Sequence, residues 1–227
     1  MRVVFLIVLF SSNSFSLIGD WKTYTSKRNV RGITFFNKTI WAATTGGAFC
    51  FHPLDSTFEE FTTSEGLRST SLTSVTSGIN GTLVFGSSNG ILHFYDPQSK
   101  LWRYDFSLKE TQSANVEIRR LHMLGDTLTV CSDIGVSLFS LSRFLFLETY
   151  TRFGISSNQF SGNVNDILYS NDKVFVATDA GIAVANAHSS NLLFPAEWQT
   201  YNSSNGLPAA PIYSLTDRKS TRLNSSH

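Results

Sequence analysis

An all-β fold assembled from a repeated four-stranded unit is predicted by three features of this sequence. A motif returns every 43–46 residues, short apolar runs alternate with turn residues, and no interval is wide enough for a helix of ordinary length. Composition agrees with a packed domain. Of 227 residues, 41% are hydrophobic, 13% aromatic and 15% charged, which is globular rather than disordered or fibrous. A formal net charge of +1 supplies no basic field for DNA, RNA or an anionic bilayer, so no nucleic-acid partner is expected.

Residues 1–16 begin with Met1 and Arg2, continue as the apolar run Val3 to Phe10, and close on a Ser/Asn-rich stretch ending at Ser16. This pattern is that of a secretory signal peptide. The apolar run is far short of the roughly 20 residues a membrane span requires, and no transmembrane segment is expected. The last ten residues, 218–227 (RKSTRLNSSH), hold no aromatic and stop within a repeat. They resemble a translated sequencing adapter and are expected to be a non-native tail, with the natural protein continuing past Asp217. Between the two ends, residues 17–217 carry 14 Lys and Arg against 17 Asp and Glu, or −3. Cys50 and Cys131 sit at different repeat offsets, which predicts buried free thiols rather than a disulfide.

The repeat is clearest in Ile40 to Ala48, Leu83 to Ile91, Leu128 to Val136 and Val174 to Ile182, which superimpose without gaps. Each is a short apolar strand, a Thr or Ser, two turn residues, and a Gly that opens a second apolar strand. Gly47, Gly90, Gly135 and Gly181 are spaced 43, 45 and 46 apart. A Gly recurring where a hairpin turns predicts a backbone position with positive φ. A second pattern flanks the first and places aromatics around polar residues: Trp21 and Tyr24, Phe58 and Phe61, Trp102 and Tyr104, Tyr150, then Trp198 and Tyr201. Their recurrence at one offset predicts packing between units rather than stacking on a ligand. Further apolar strands follow at Val30 to Phe36, Leu72 to Val75, Ile118 to Leu124 and Val164 to Tyr169, each closed by a polar turn.

Four strands per unit, repeating at this period, predict an incomplete β-propeller over residues 17–217, with about four blades and the start of a fifth. The inner three strands of each blade are expected at about 30–51, 71–94, 116–139 and 164–185, with the fifth blade beginning at Ile212. Trp21 to Thr25 aligns with the outermost strand of a blade, so it is expected to complete the last blade of a closed ring.

The run Trp-x-x-Tyr, Gly-Leu, apolar strand, turn, and Trp/Phe-x-Ala-Thr-x-x-Gly-Ile resembles the two-component-regulator propeller repeat of bacterial surface and sensor proteins. The likeness covers nearly all of residues 20–215. Asp20 to Thr25, Ser64 to Leu67, Phe85 to Ile91 and Cys131 to Val136 followed by Glu148-Thr149-Tyr150 are similar to the first propeller of PorZ-like proteins. That resemblance implies an exported protein in the periplasm or on the surface of a Gram-negative, Bacteroidetes-type bacterium. It implies a place in the attachment complex of type IX secretion, with other attachment-complex proteins or anionic lipopolysaccharide as partners. The second propeller and sorting domain of that family are not among these 227 residues.

Catalytic motifs are silent: there is no Gly-x-Ser-x-Gly, His-Glu-x-x-His, phosphate loop or Cys-x-x-Cys. A non-enzymatic protein is expected. His52, His93, His122, His188 and His227 fall at unrelated offsets, so neither a metal nor a cofactor is expected. Asp133 and Asp179 occupy equivalent places beside the turn Gly and are read as turn residues that bond nearby backbone N–H groups. The adjacent Arg119 and Arg120 lie on an expected inner strand and are the candidates for an anion contact at the channel mouth. Two other readings stay open: the sensor propeller of a hybrid two-component histidine kinase, and a glycan-active propeller enzyme, which requires acids and His to converge at the channel mouth.

Overall fold

The computed structural model describes residues 23–78, 81–111, 116–155, 158–208 and 210–217. The expected signal peptide at 1–16, Trp21 and the expected tail at 218–227 lie outside the described residues. The described chain is an incomplete β-propeller of four antiparallel four-stranded blades. Blade 1 contains β1 (Val30–Phe36), β2 (Thr39–Thr44), β3 (Gly47–His52) and β4 (Thr57–Phe61). Blade 2 contains β5 (Leu72–Ser77), β6 (Leu83–Ser87), β7 (Leu92–Asp96) and β8 (Leu101–Asp105), followed by the short helix α1 (Ser107–Thr111). Blade 3 contains β9 (Ile118–Leu124), β10 (Thr127–Ser132), β11 (Gly135–Ser140) and β12 (Leu145–Tyr150). A small ladder of β13 (Arg152–Phe153) and β14 (Phe160–Ser161) leads to blade 4, made of β15 (Val164–Ser170), β16 (Lys173–Thr178), β17 (Gly181–Asn186) and β18 (Gln199–Tyr201). Residues 210–217 start a fifth unit, with the Ile212 N–H donating to the Thr178 carbonyl.

Strand alternation decides which side chain meets which neighbour. On β2, Trp41 and Ala43 face blade 2 and pack with its Leu72, Leu83, Phe85 and Tyr95. On β6, Val84 faces blade 3, where it joins Leu128, Val130 and Phe139. Blade 3 in turn offers Cys131, Val136 and Tyr150 to Val174, Val176, Ala183 and Trp198 of blade 4. The core is therefore three slabs between blades rather than one central mass, which is how thin sheets bury both faces.

All four motif glycines have positive φ, but they do not share one role. Gly47, Gly135 and Gly181 open their strands opposite the outermost strand, where an added Cβ would fall 2.3, 2.1 and 2.0 Å from the carbonyl oxygens of Phe61, Tyr150 and Tyr201. Only Gly permits that approach. Gly90 instead lies in a longer turn: Leu92 rather than Ile91 pairs with Gly86, whereas Ala48 pairs with Ala43 and Val136 with Cys131. The motif thus does not superimpose without a gap in blade 2. Its hairpin holds one extra residue, and every side chain of β7 and β8 shifts by one relative to the sequence alignment.

The same shift sorts the aromatics. Phe61, Tyr150 and Trp198 are buried, and Trp102 packs at 4.5 Å from Tyr95 and 6.1 Å from Phe61. Tyr104 is half-buried, its hydroxyl donating to the Gly66 carbonyl, and Tyr201 is half-buried. Two of the aromatics expected to pack between blades are exposed among the described residues. Phe58 is 62% exposed because it points from blade 1 toward the side where no described blade stands. Tyr24 is 90% exposed: residues 23–29 form no strand, and Thr23 is tied instead to Thr63 and Ser64 beyond β4.

Candidate functional site

Every inner strand carries a register break at the same place. It falls between Val30 and Gly32, Leu72 and Ser74, and Val164 and Asp166, and opposite Cys131–Ser132 in blade 3. The extra residues are Arg31, Thr73, Arg119 and Asn165. A bulge re-aims its side chain, and here all four turn toward one end of the central channel. With Glu117, Arg120 and Tyr213 they line a recess of about 300 Å³.

Both sequence-expected arginines are in this recess, and the structure adds a third, Arg31 from blade 1. Arg31 Nη2 donates to Glu117 Oε1 at 3.0 Å across the channel. Arg119 Nε donates to Asp133 Oδ1 at 2.7 Å, and its Nη1 to Asn165 Oδ1 at 2.8 Å. Asn165 passes the network on to Asp179 Oδ1 at 2.8 Å and to the Ile212 carbonyl at 2.9 Å. Arg120 Nε is buried without a hydrogen-bond partner and lies 3.8 Å from Asp166 Oδ1. Aligning Arg31-Gly32-Ile33 with Arg119-Arg120-Leu121 is the signal that would have exposed Arg31.

Asp133 does accept a backbone N–H, but across to Glu117, just ahead of the neighbouring strand, and the partners of Asp179 among the described residues are side chains. Asp133 reaches out of its hairpin to Arg119 and the Glu117 N–H, and Asp179 reaches to Asn163 and Asn165. The Asn165 hydrogen bond is the main cause holding the Asp179 carboxyl below its ordinary value. Deeper in the channel, Asp166 is nearly fully buried and accepts from His122 Nε2 at 2.6 Å, Ser214 Oγ at 3.1 Å and the Leu215 N–H at 2.9 Å. Burial alone would raise the Asp166 carboxyl. The His122 and Leu215 hydrogen bonds, with the charges of His122 and Arg120, outweigh it and keep the group low and ionised.

Chemically, the recess presents guanidinium edges that are partly open to solvent, backed by carboxylates that are already engaged. No set of three or more His, Cys, Asp or Glu among the described residues could hold a metal ion. Among the same residues, no helix is long and apolar enough to cross a membrane.

No family model matches the sequence, and comparison with curated proteins gives no match. Solved structures share the fold. PorZ of Porphyromonas gingivalis, an essential bacterial surface component of the type IX secretion system, matches at a TM-score of 0.63 and 18% identity over 81% of this chain and 24% of that one. The extracellular domain of a hybrid two-component system from B. thetaiotaomicron matches at 0.65 and 21%, over 80% of this chain and 24% of that one. A one-component-system extracellular domain from the same organism matches at 0.62 and 19%, over 83% and 24%. The chain spans about a quarter of the length of these relatives. The structural likeness is to the two groups whose repeats the sequence resembles.

Proposed function

We propose that this chain is the propeller segment of an exported, non-catalytic protein that serves as a binding and assembly platform, with the channel mouth as its contact site. Arg31, Arg119 and Arg120 converging on one recess from two blades is the observation that carries this reading. The Arg31–Glu117 pair is partly exposed, so its net worth is small and a competing anion can replace Glu117. Arg119, oriented by Asp133 and Asn165, is a preorganised donor. The ligand class that fits is a phosphorylated or carboxylated sugar, consistent with anionic lipopolysaccharide as the partner in an attachment complex of type IX secretion at the periplasm or cell surface.

The test is binding of the chain to purified anionic lipopolysaccharide at two salt concentrations, with Arg31→Gln and Arg119→Gln variants. Tenfold weaker binding in each variant, and a loss of affinity on raising salt, is the expected outcome. Equal binding by both variants, or by polysaccharide stripped of its phosphates, removes the proposal. The second reading, the ligand-sensing propeller of a hybrid two-component regulator, has the same structural support. A membrane span and kinase core in the continuing reading frame would select it.

A further inference from the structure

Successive blade interfaces carry the same groove at their outer rim, and the two copies have opposite character. Between blades 1 and 2 the groove is about 180 Å³ and holds Cys50, Glu59, His52, Pro97 and Lys100, with the Trp41 indole filling its floor. By strand register, the equivalent positions between blades 2 and 3 are Phe94, Arg103, Asp96, Leu141 and Phe144, and Trp41 is matched by Val84. This groove opens to about 430 Å³, in the range of small-molecule sites, with Phe94, Leu141 and Phe144 among the residues of its apolar wall.

Three features distinguish it from a packing fault. Phe144 has φ +54° at a turn position filled by Ser56 in blade 1 and Lys100 in blade 2. An aromatic there costs on the order of 1–2 kcal/mol of backbone strain, spent to hold a ring against Phe94 at 4.9 Å and along the groove wall. Arg103 lies face-down on that ring, its guanidinium carbon 3.8 Å from the centroid, and no ion pair holds it among the described residues. Stacking occupies the guanidinium face and leaves its N–H edge free for a bidentate acceptor. The acid across the groove makes no ion pair with Arg103 and is turned to its own loop, where Asp96 Oδ1 accepts the Gln98 N–H at 2.9 Å and Oδ2 accepts Ser99 Oγ at 2.7 Å. Among the described residues Arg103 is therefore left with no charged partner within ion-pair distance, at the edge of an apolar trough.

We infer that the groove between blades 2 and 3 is a second binding site, separate from the channel mouth, for an amphiphile with an acyl or aryl body and a single carboxylate. The body lies along Phe94, Leu141 and Phe144, and the carboxylate takes the free edge of Arg103. The homologous groove between blades 1 and 2 rejects the same ligand, because Glu59 stands where Arg103 does and Trp41 fills the space.

Calorimetric titration of the chain with dodecanoate, below its micellar concentration, tests this directly, with dodecyl maltoside as the uncharged comparator. One saturable dodecanoate site is expected, weakened at least tenfold by Arg103→Gln, blocked by Leu141→Trp and unchanged by Phe58→Ser on the bare face of blade 1. Arg103→Gln alters only an exposed side chain, so it decides the matter even where Leu141→Trp disturbs folding. Equal affinity in Arg103→Gln, equally tight dodecyl maltoside, loss of binding in Phe58→Ser, or no saturable site would each overturn the inference. None of these results bears on the channel-mouth arginines.

Discussion

Blades 1 and 4 present the same strand positions toward the preceding side of the ring, yet among the described residues only blade 4 has a neighbour there. Ile33 and Ile167 occupy one position, opposite Ala42 and Val176 respectively; the first is 69% exposed and the second 2%. Val30 is exposed where Leu72, Ile118 and Val164 are buried, and Phe58 is exposed where Trp198 is buried. The residue types are those of a core in both places. What differs is whether another blade arrives. In a repeat fold the sequence of one unit states what it can bury, and the adjacent unit decides whether it does.

The sharpest way to break this comparison is to delete the ring at Phe58 and at Trp198. Trp198 packs edge-on against Phe153 at 4.9 Å, and its Nε1–H donates to the Leu192 carbonyl at 2.8 Å. Trp198→Ala is expected to cost about 3–5 kcal/mol, read as a fall in the urea midpoint at unchanged slope. Phe58→Ala loses only its contacts with Phe49 and Phe51 and is expected to cost under about 1 kcal/mol. A Phe58 effect as large as that of Trp198 would mean that the outer face of blade 1 is covered in solution.

His93 sharpens the same contrast through pH. It shares a strand position with Phe49 of blade 1, but it is completely buried, with Trp102 and Tyr104 against its ring and the segment after β4 over it, where its Nε2 accepts the Arg68 N–H at 3.2 Å. Burial is the main cause that lowers its pKa from 6.5 to about 4. The unfolded chain therefore binds the extra proton between those values while the folded chain does not. Stability from this group is complete above pH 6.5 and is lost as pH falls toward 4, by about 3 kcal/mol in all. The expected result is a urea midpoint that drops over that window in the native chain and drops less in His93→Phe. An identical acid profile in the variant would show that His93 is solvated, and so that the segment after β4 is not closed over blade 2.

Much of the fold was legible because its signals are local. Turn pairs such as Asn37-Lys38 and Asn171-Asp172, both at positive φ, and glycines that admit a carbonyl at van der Waals overlap distance leave direct marks in the chain. The offset in blade 2 was harder to see because a residue added to a turn does not change the period by much. Its trace is Asn89-Gly90, the only motif turn with that dipeptide. The channel mouth was half legible: the adjacent Arg119 and Arg120 stand out in one strand, whereas Arg31 joins them only after four bulges aim four blades at one point. The rim groove was not legible at all, since Arg103 of blade 2 and Leu141 and Phe144 of blade 3 are unremarkable until the two rims stand side by side.

The smallest test is the cleanest, because it compares one atom deletion at two copies of one position. Ile→Val removes a single methylene from a residue whose backbone and strand neighbours are alike in blades 1 and 4. At Ile167 the methylene sits between β15 and the blade 3 face formed by Cys131 and its neighbours, in a slab too well packed to collapse. Its loss is expected to cost about 0.5–1.5 kcal/mol. At Ile33 the same methylene already meets water, and the β-propensity of the two residues is similar, so the change is expected to stay within about 0.3 kcal/mol of zero. The difference between the two variants, measured by urea unfolding at neutral pH, isolates what a neighbouring blade contributes to one side-chain atom. Equal costs at both sites would place the stabilisation within the blade rather than between blades, and would remove the physical reason for the ring.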